Sequence, residues 1–401
     1  MRMSASLRSR RPARRILRGV LALLAVLVVV TGWSLGHALT APGGGTVSER
    51  VAEWARGHSL GPLVTLGEWI TYQPPKVGGK PSFALTGPSA AAARHGSGSG
   101  GRPGSGGRLS GAGRPGQGRP NGSASQLIPH RLTSPAGKGL HGEGAWRVLG
   151  TVHGLPAIFG TYLRPDKLHT SYVAGIVSMN QNLLRFQLRP GAVDPGPAPW
   201  RAQATIPPGH RRGLLATFNG GFKVASSGGG FYLNGVRRGS LRRGAASLVY
   251  YRNGHVTVGV WGRDVRKDPQ VVGVRQNLRL IVDHGKVPMS VDSNVQTNWG
   301  ATLGGGYYVW RSGVGITSDG RVIFVYGPAL DVRTLAELLR RAGCVRAMQL
   351  DINPDWMSFM YYLPRHHPAD PTPVNLLPDQ VQSPERYYSI ANRDFTAVFA
   401  R

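Results

Sequence analysis

The run SLVYYRNGHVTVGVW, Ser247 to Trp261, joins two stretches of β-branched and aromatic residues through Asn253-Gly254. That dipeptide accepts the positive φ angles of a tight hairpin, so the run can hardly be anything but two antiparallel strands. Asn234-Gly235, Asp283-His284-Gly285 and Asp319-Gly320 repeat the signal, the last within GITSDGRVIFVYG. One helix is predicted among the strands. Thr334 and Glu337 form a capping box, Leu335, Leu338, Leu339 and Ala342 share a face, and Gly343 is placed to end the helix. CVRAMQLDI follows at once, and a connection of that length lets the new strand join the same sheet in parallel. The expected class is α+β: a strand-dominated mixed sheet with packed helices.

The N-terminus imposes a second constraint. Residues 1–18 carry seven arginines and no acid, and from Gly19 to Leu39 there is no charged residue. Such a run is long enough to cross a bilayer as a helix. Arginines ahead of it keep the short N-terminus in the cytoplasm and send everything after Thr40 outside. The alternative is a cleaved signal peptide, with small residues near Ala38 to Ala41 as the processing site and a secreted product. Five segments follow: a basic cytoplasmic N-terminus (1–18), a transmembrane anchor or signal segment (19–39), a juxtamembrane segment (40–85), a linker (86–140) and a folded domain (141–401). The juxtamembrane segment carries Trp54, Leu63, Leu66, Trp69 and Ile70. The linker is almost wholly Gly, Ser, Pro, Ala and Arg through Ser125, too poor in apolar bulk to offset the entropy of ordering, and reads as a disordered tether. Cys344 is the only cysteine, so no intrachain disulfide can form, and it reads as a buried structural thiol.

The formal charge of +29 raises the question of nucleic acid. Residues 1–18 supply +7 of it, residues 86–140 another +7, and residues 141–401 supply +14. Half of the excess therefore belongs to the anchor and the linker. What remains suits anionic envelope polymers as partners, whereas no helix-turn-helix, zinc finger or stacking motif is present and no nucleic acid is expected.

Three stretches carry the chemistry: LLATFNGGF (Leu214 to Phe222), RSGVGITSDGRVIFVYG (Arg311 to Gly327) and LAELLRRAGCVRAMQLD (Leu335 to Asp351). In this order and at these separations they resemble the phosphodiester glycosidase family of exported enzymes, related to the enzyme that uncovers mannose 6-phosphate on lysosomal proteins. The resemblance covers roughly residues 210 to 363. It implies a hydrolase that cleaves between a sugar's anomeric carbon and a phosphodiester oxygen, and makes residues 141–401 a phosphodiester glycosidase-like domain.

The residues themselves allow that chemistry. Asn219 ends a strand, and Gly220 and Gly221 let the backbone approach a ligand. Arg311 offers a guanidinium fork suited to two phosphodiester oxygens. Asp351, at a strand end and on the face of Gln349 by alternation, is the carboxylate expected to attack or stabilise an oxocarbenium-like centre or to activate water. Asp355 lies in Asn353-Pro354-Asp355-Trp356, a type I turn signature, so turn residue and second carboxylate are equal readings. Asp292 is the reserve second carboxylate. Trp356 and Trp299 could stack on a pyranose face or pack in the core. His366-His367 reads as a solvated loop. No cofactor is expected; the oxygen-rich set could hold a divalent cation, but no spacing matches a calcium loop. After Asp351 the family's Gly-Gly-Gly-Ser-Ser is replaced by INPDW, which removes backbone donors and two hydroxyls. Two functions therefore stand side by side: a membrane-anchored extracytoplasmic hydrolase of sugar-1-phosphodiesters in envelope glycoconjugates, and a non-catalytic surface module that binds phosphorylated envelope polysaccharide. General polyanion adhesion is a third, which explains the charge but not the motif order.

Overall fold

The computed structural model describes residues 10–40, 47–61, 64, 66, 72–86, 128–293, 296–300, 306–364 and 368–401. Leu63, Trp69, Ile70, His366, His367 and most of the expected linker lie outside these. Helix α1 (Arg10–Thr40) contains an apolar stretch from Arg18 to Thr40 with no buried residue. It is long and apolar enough to cross a membrane and fits a signal anchor or a signal peptide. Helix α2 (Val47–Gly57) touches it through the Trp54 indole N–H, which donates to Ser34 Oγ at 3.0 Å.

Among the described residues, seventeen strands form three sheets. In the first, the order is β1 (Arg147–Val152), β2 (Leu155–Leu163), β3 (Ala174–Met179), β13 (Val322–Leu330), β12 (Val309–Thr317), β14 (Cys344–Gln349) and β11 (Leu280–Val282). The second runs β7 (Val236–Arg238), β6 (Phe231–Leu233), β10 (Val271–Asn277), β8 (Ala246–Tyr251), β9 (Val256–Val260). The third runs β16 (Thr372–Asn375), β15 (Phe359–Leu363), β5 (Leu214–Asn219), β17 (Phe395–Ala400), β4 (Leu184–Arg189). The expected hairpins are present. Asn234 (φ 48°) and Gly235 (φ 93°) turn β6 into β7, and Gly254 and Gly320 take φ of 82° and 81° in the turns after β8 and β12.

Helix α3 (Val332–Arg341) carries the chain from β13 to β14, as the apolar spacing predicts. Its cap is not the expected one: Asp331 Oδ1 accepts the Thr334 N–H at 2.6 Å, and Glu337 pairs with Arg340 at 2.9 Å. A carboxylate one turn earlier satisfies the free N–H, leaving nothing for a Thr334 cap to do. Gly343 ends the helix at φ 94°. β14 runs in the same direction as β13, but β12 lies between them, so the strand after the helix joins the sheet through antiparallel ladders and not in parallel.

The first sheet is covered on both faces. One face meets Leu335, Leu338 and Leu339 of α3, all fully buried, with Ile176, Ile323 and Ala347. The other packs Val314, Phe324, Tyr326 and Met348 against Phe218, Tyr361 and Val398 of the third sheet and Leu248 and Tyr250 of the second. That is why β13 reads as an unbroken apolar run instead of alternating. Residues 72–86 also lie along the domain: Gly78 N donates to Leu168 O at 2.7 Å, and Leu85 is buried. Glu143 is buried against Arg164 at 3.0 Å.

Leu339→Ala should cost about 2–5 kcal/mol in chemical unfolding, because it opens a void on a covered sheet face. Cys344 is buried, and burial pushes its thiol well up. It should resist thiol reagents in the native protein and react on unfolding; ready labelling of the folded chain would contradict this placement.

Candidate active site

The three motif stretches meet at one hydroxyl. Ser312 Oγ, next to Arg311 in β12, accepts from Asn219 Nδ2 at 3.0 Å and from the Asp351 N–H at 3.1 Å. The Ser312 N–H donates to Asp351 O at 2.9 Å. Asn219 Oδ1 accepts from Ser358 N at 3.2 Å, which ties the end of β5 to the start of β15. Asn219 thus connects the end of β5 to β12 and to the start of β15, and is itself buried.

Asp351 lies beyond this hydroxyl and is 3% exposed. Its Oδ1 accepts from the N–H groups of Ile352 at 2.8 Å and Asn353 at 3.0 Å, while Oδ2 faces Arg393 at 3.4 Å. Burial holds the carboxyl above its ordinary value; Arg393, the two N–H groups and Arg275 pull the other way. Around it stand two buried guanidiniums, the buried Asp394 carboxylate and the partly buried Asp194 carboxylate. Arg275 Nε donates to Asp394 Oδ2 at 2.9 Å, and Asp194 Oδ2 stands 4.0 Å from Arg275 and 3.9 Å from Arg393. Burial also raises Asp394, against Arg275. Burial alone would lower the Arg275 guanidinium, but Asp394, Asp194 and Asp351 hold it above its ordinary value.

The two glycines belong to this cluster. Gly220 N donates to Asp394 O at 2.9 Å, and a Cβ on Gly220 would fall on the Asp394 carboxylate. Gly221 O accepts from Arg393 at 2.9 Å, and its α-carbon faces Asn277 and Arg275. Asn277 Nδ2 in turn donates to the carbonyls of Gln349 and Leu350 at 2.7 and 2.8 Å.

Three buried polar atoms here have no hydrogen-bond partner: Asn277 Oδ1, Arg393 Nε and Asp394 Oδ1. Each costs about 1–3 kcal/mol if left unmet. Their concentration beside one carboxylate is what a site prepared for a polar ligand looks like. Among the described residues no group of three or more His, Cys, Asp or Glu side chains is placed to hold a metal ion.

Other expected site residues lie apart from Asp351. The Arg311 guanidinium is spent on the protein itself, donating to Leu330 O at 2.9 Å, Gln349 Oε1 at 2.8 Å and Tyr307 O at 3.3 Å. Burial pulls it down to about 10, against Asp331. Arg393, not Arg311, is the cation at Asp351. Asp292 is an exposed partner of Arg333 at 2.6 Å, which lowers its carboxyl. Trp299 is buried, with its indole N–H on Ser290 O at 3.0 Å and its carbonyl accepting from Gln349 at 2.9 Å. Trp356 is buried, with the Arg393 and Arg386 guanidiniums 5.0 and 5.5 Å from its ring, so it is not an open stacking surface for a sugar. Asp355 sits in the expected turn, its N–H on Asn353 Oδ1 at 2.9 Å; burial raises its carboxyl and Arg386 opposes.

Residues 212–351 match the phosphodiester glycosidase family model. The resemblance read from the three motifs holds for the segment that carries them, which also contains Arg275, Asn277 and Ser312. It supports a hydrolase-type function in general. No curated protein matches the chain. Among solved structures, the chain is similar to the catalytic domain of zebrafish N-acetylglucosamine-1-phosphodiester alpha-N-acetylglucosaminidase, described as auto-inhibited by its pro-peptide. The identity is 14% over 64% of this chain and 87% of that one, with a TM-score of 0.39. A hypothetical protein from Synechocystis is 13% identical over 63% and 64%, with a TM-score of 0.33. A putative exported protein from Burkholderia pseudomallei K96243 is 12% identical over 57% and 74%, with a TM-score of 0.30.

Sequence reasoning missed Arg393, Asp394, Asp194 and Arg275. The available signal was charge in the wrong place: Arg275 inside the apolar strand VVGVRQN, and Arg393-Asp394 directly ahead of FTAVFA. Gly220→Ala should destabilise the fold by about 1–3 kcal/mol through overpacking against Asp394. A neutral effect in denaturant titration would mean that this approach is not as close as described.

Proposed function

We propose that the protein is a membrane-tethered, extracytoplasmic hydrolase that cleaves sugar-1-phosphodiester bonds in envelope glycoconjugates. The observation that carries this reading is the Asp351 carboxyl, raised by burial and clamped between two backbone N–H groups and Arg393, beside three unpaired polar atoms. Asp351 would act at the anomeric carbon as that carbon takes on oxocarbenium character. The C1–O bond breaks, its electron pair leaves on the phosphate monoester, and water supplies hydroxide to the sugar and a proton to the phosphate. A phosphate is a good leaving group, so strong general-acid assistance is not needed; Arg393 and Arg275 balance its charge. Asp194 and Asp394 hold the two arginines, and Asn219, Ser312, Gly220 and Gly221 fix the strand tips.

The segment order supports placement outside the membrane, since arginines precede the apolar helix. The +14 carried by residues 141–401 suits phosphate-bearing envelope polymers as partners. One observation favours the binding-module reading: Asp351 is almost closed from solvent, and the rigid Asn353–Trp356 turn stands where the family has a glycine run.

The test is release of reducing sugar from synthetic sugar-1-phosphodiesters by the full chain in nonionic detergent. Asp351→Asn should lower kcat/KM by about 10²–10⁴-fold. Arg393→Gln removes a neighbour that lowers the Asp351 pKa, so the acidic limb of the pH profile should move to higher pH. Saturable binding without turnover would select the module, and turnover unaffected by either substitution would remove Asp351 from the site.

A further inference from the structure

The edge strand β4, LRFQLR, sends Phe186 and Leu188 into the core and Arg185, Gln187 and Arg189 to the opposite face. The strand lines a basin of ≈ 500 Å³ together with Arg201, His210 and Arg252, the last in the turn after β8. No Asp or Glu lines it. Among the described residues none of these four arginines forms an ion pair with a carboxylate. Arg185 donates to Ala400 O at 3.3 Å and covers the Phe399 ring, and Arg252 donates to Pro269 O at 3.4 Å.

Arg189 is the most telling. It is 8% exposed, its one hydrogen bond is from NH2 to Gln187 Oε1 at 3.3 Å, and its Nε has no partner. Burial, and then Arg185, hold its guanidinium below the ordinary arginine value. A cation buried beside another cation, with no carboxylate opposite, is costly unless an anion completes it. We propose that this basin is a second site, separate from the Asp351 cluster, that binds a phosphate ester. Planar guanidinium forks match phosphate oxygens, and the volume leaves room for the alcohol that carries the phosphate. Tyr250 stands between the two sites: it lines the basin, and its hydroxyl is 2.6 Å from Thr396 Oγ1, two residues beyond Asp394. The assignment does not depend on the hydrolase reading.

The experiment is calorimetric titration of the full chain in nonionic detergent with glycerol 3-phosphate, at low and moderate salt. One saturable site is expected, weakening with salt. The exposed pair Arg201→Gln/Arg252→Gln should weaken it by about tenfold or more, as should Arg189→Gln. Arg237→Gln/Arg266→Gln, which removes the same charge from exposed positions outside the basin, should leave it unchanged. If Arg189→Gln fails to fold, the exposed pair still decides. Repeating the titration in micelles containing phosphatidylglycerol separates the sources: competition places the ester on a lipid headgroup, and its absence places it on a soluble or polymer-borne ester. Equal losses from the two exposed pairs, or no saturable binding, would overturn the proposal in favour of diffuse charge.

Discussion

The contact on which the rest depends is the buried ion pair between Arg275 of β10 and Asp394, the residue before β17. Both side chains are essentially closed to solvent, so the pair is costly to bury and tolerable only because Arg275 has further acceptors in the carbonyls of Gln276 and Phe222. It joins the second sheet to the third. Through the Asp394 carbonyl it holds Gly220 at the end of β5, and its neighbour Arg393 reaches Gly221 and Asp351. The first sheet enters through Ser312, whose hydroxyl links Asn219 to Asp351. Three sheets thus converge on one charged cluster, and the position of Asp351 follows from it.

Local signals were legible in the sequence, and distant ones were not. The turns at Asn234-Gly235 and Asp319-Gly320 and the apolar face of Leu335, Leu338 and Leu339 depend on neighbours a few residues away, and the fold respects them. The helix cap was misplaced by three residues because Asp331 and Thr334 are both good caps, and a pattern does not say which N–H is left over. The order of the three motifs placed Asn219 and Asp351 together. It could not say which guanidinium would stand at Asp351, since Arg311 and Ser312 point to opposite faces of β12 and Arg393 arrives from the C-terminal end of the chain. Trp356 offered an aromatic face in sequence, but two arginines from that same distant end now occupy it.

The site's electrostatics follow from its burial. Desolvation raises Asp351 and Asp394 together while two guanidiniums oppose it. The turn from Asn353 to Trp356 is stiffer than a glycine run, and it supplies Asp351 Oδ1 with two N–H donors. The departure from the family pattern therefore leaves the carboxylate held in place and alters what surrounds it.

The most direct test of the central claim is a crystal structure of the protein with a non-hydrolysable sugar 1-phosphonate diester. The anomeric carbon is expected beside Asp351 and the phosphonate oxygens on Arg393 or Arg275, with at least one of Asn277 Oδ1, Arg393 Nε and Asp394 Oδ1 newly paired. An analogue bound elsewhere, with Asp351 still sealed against Ile352 and Asn353, would contradict it.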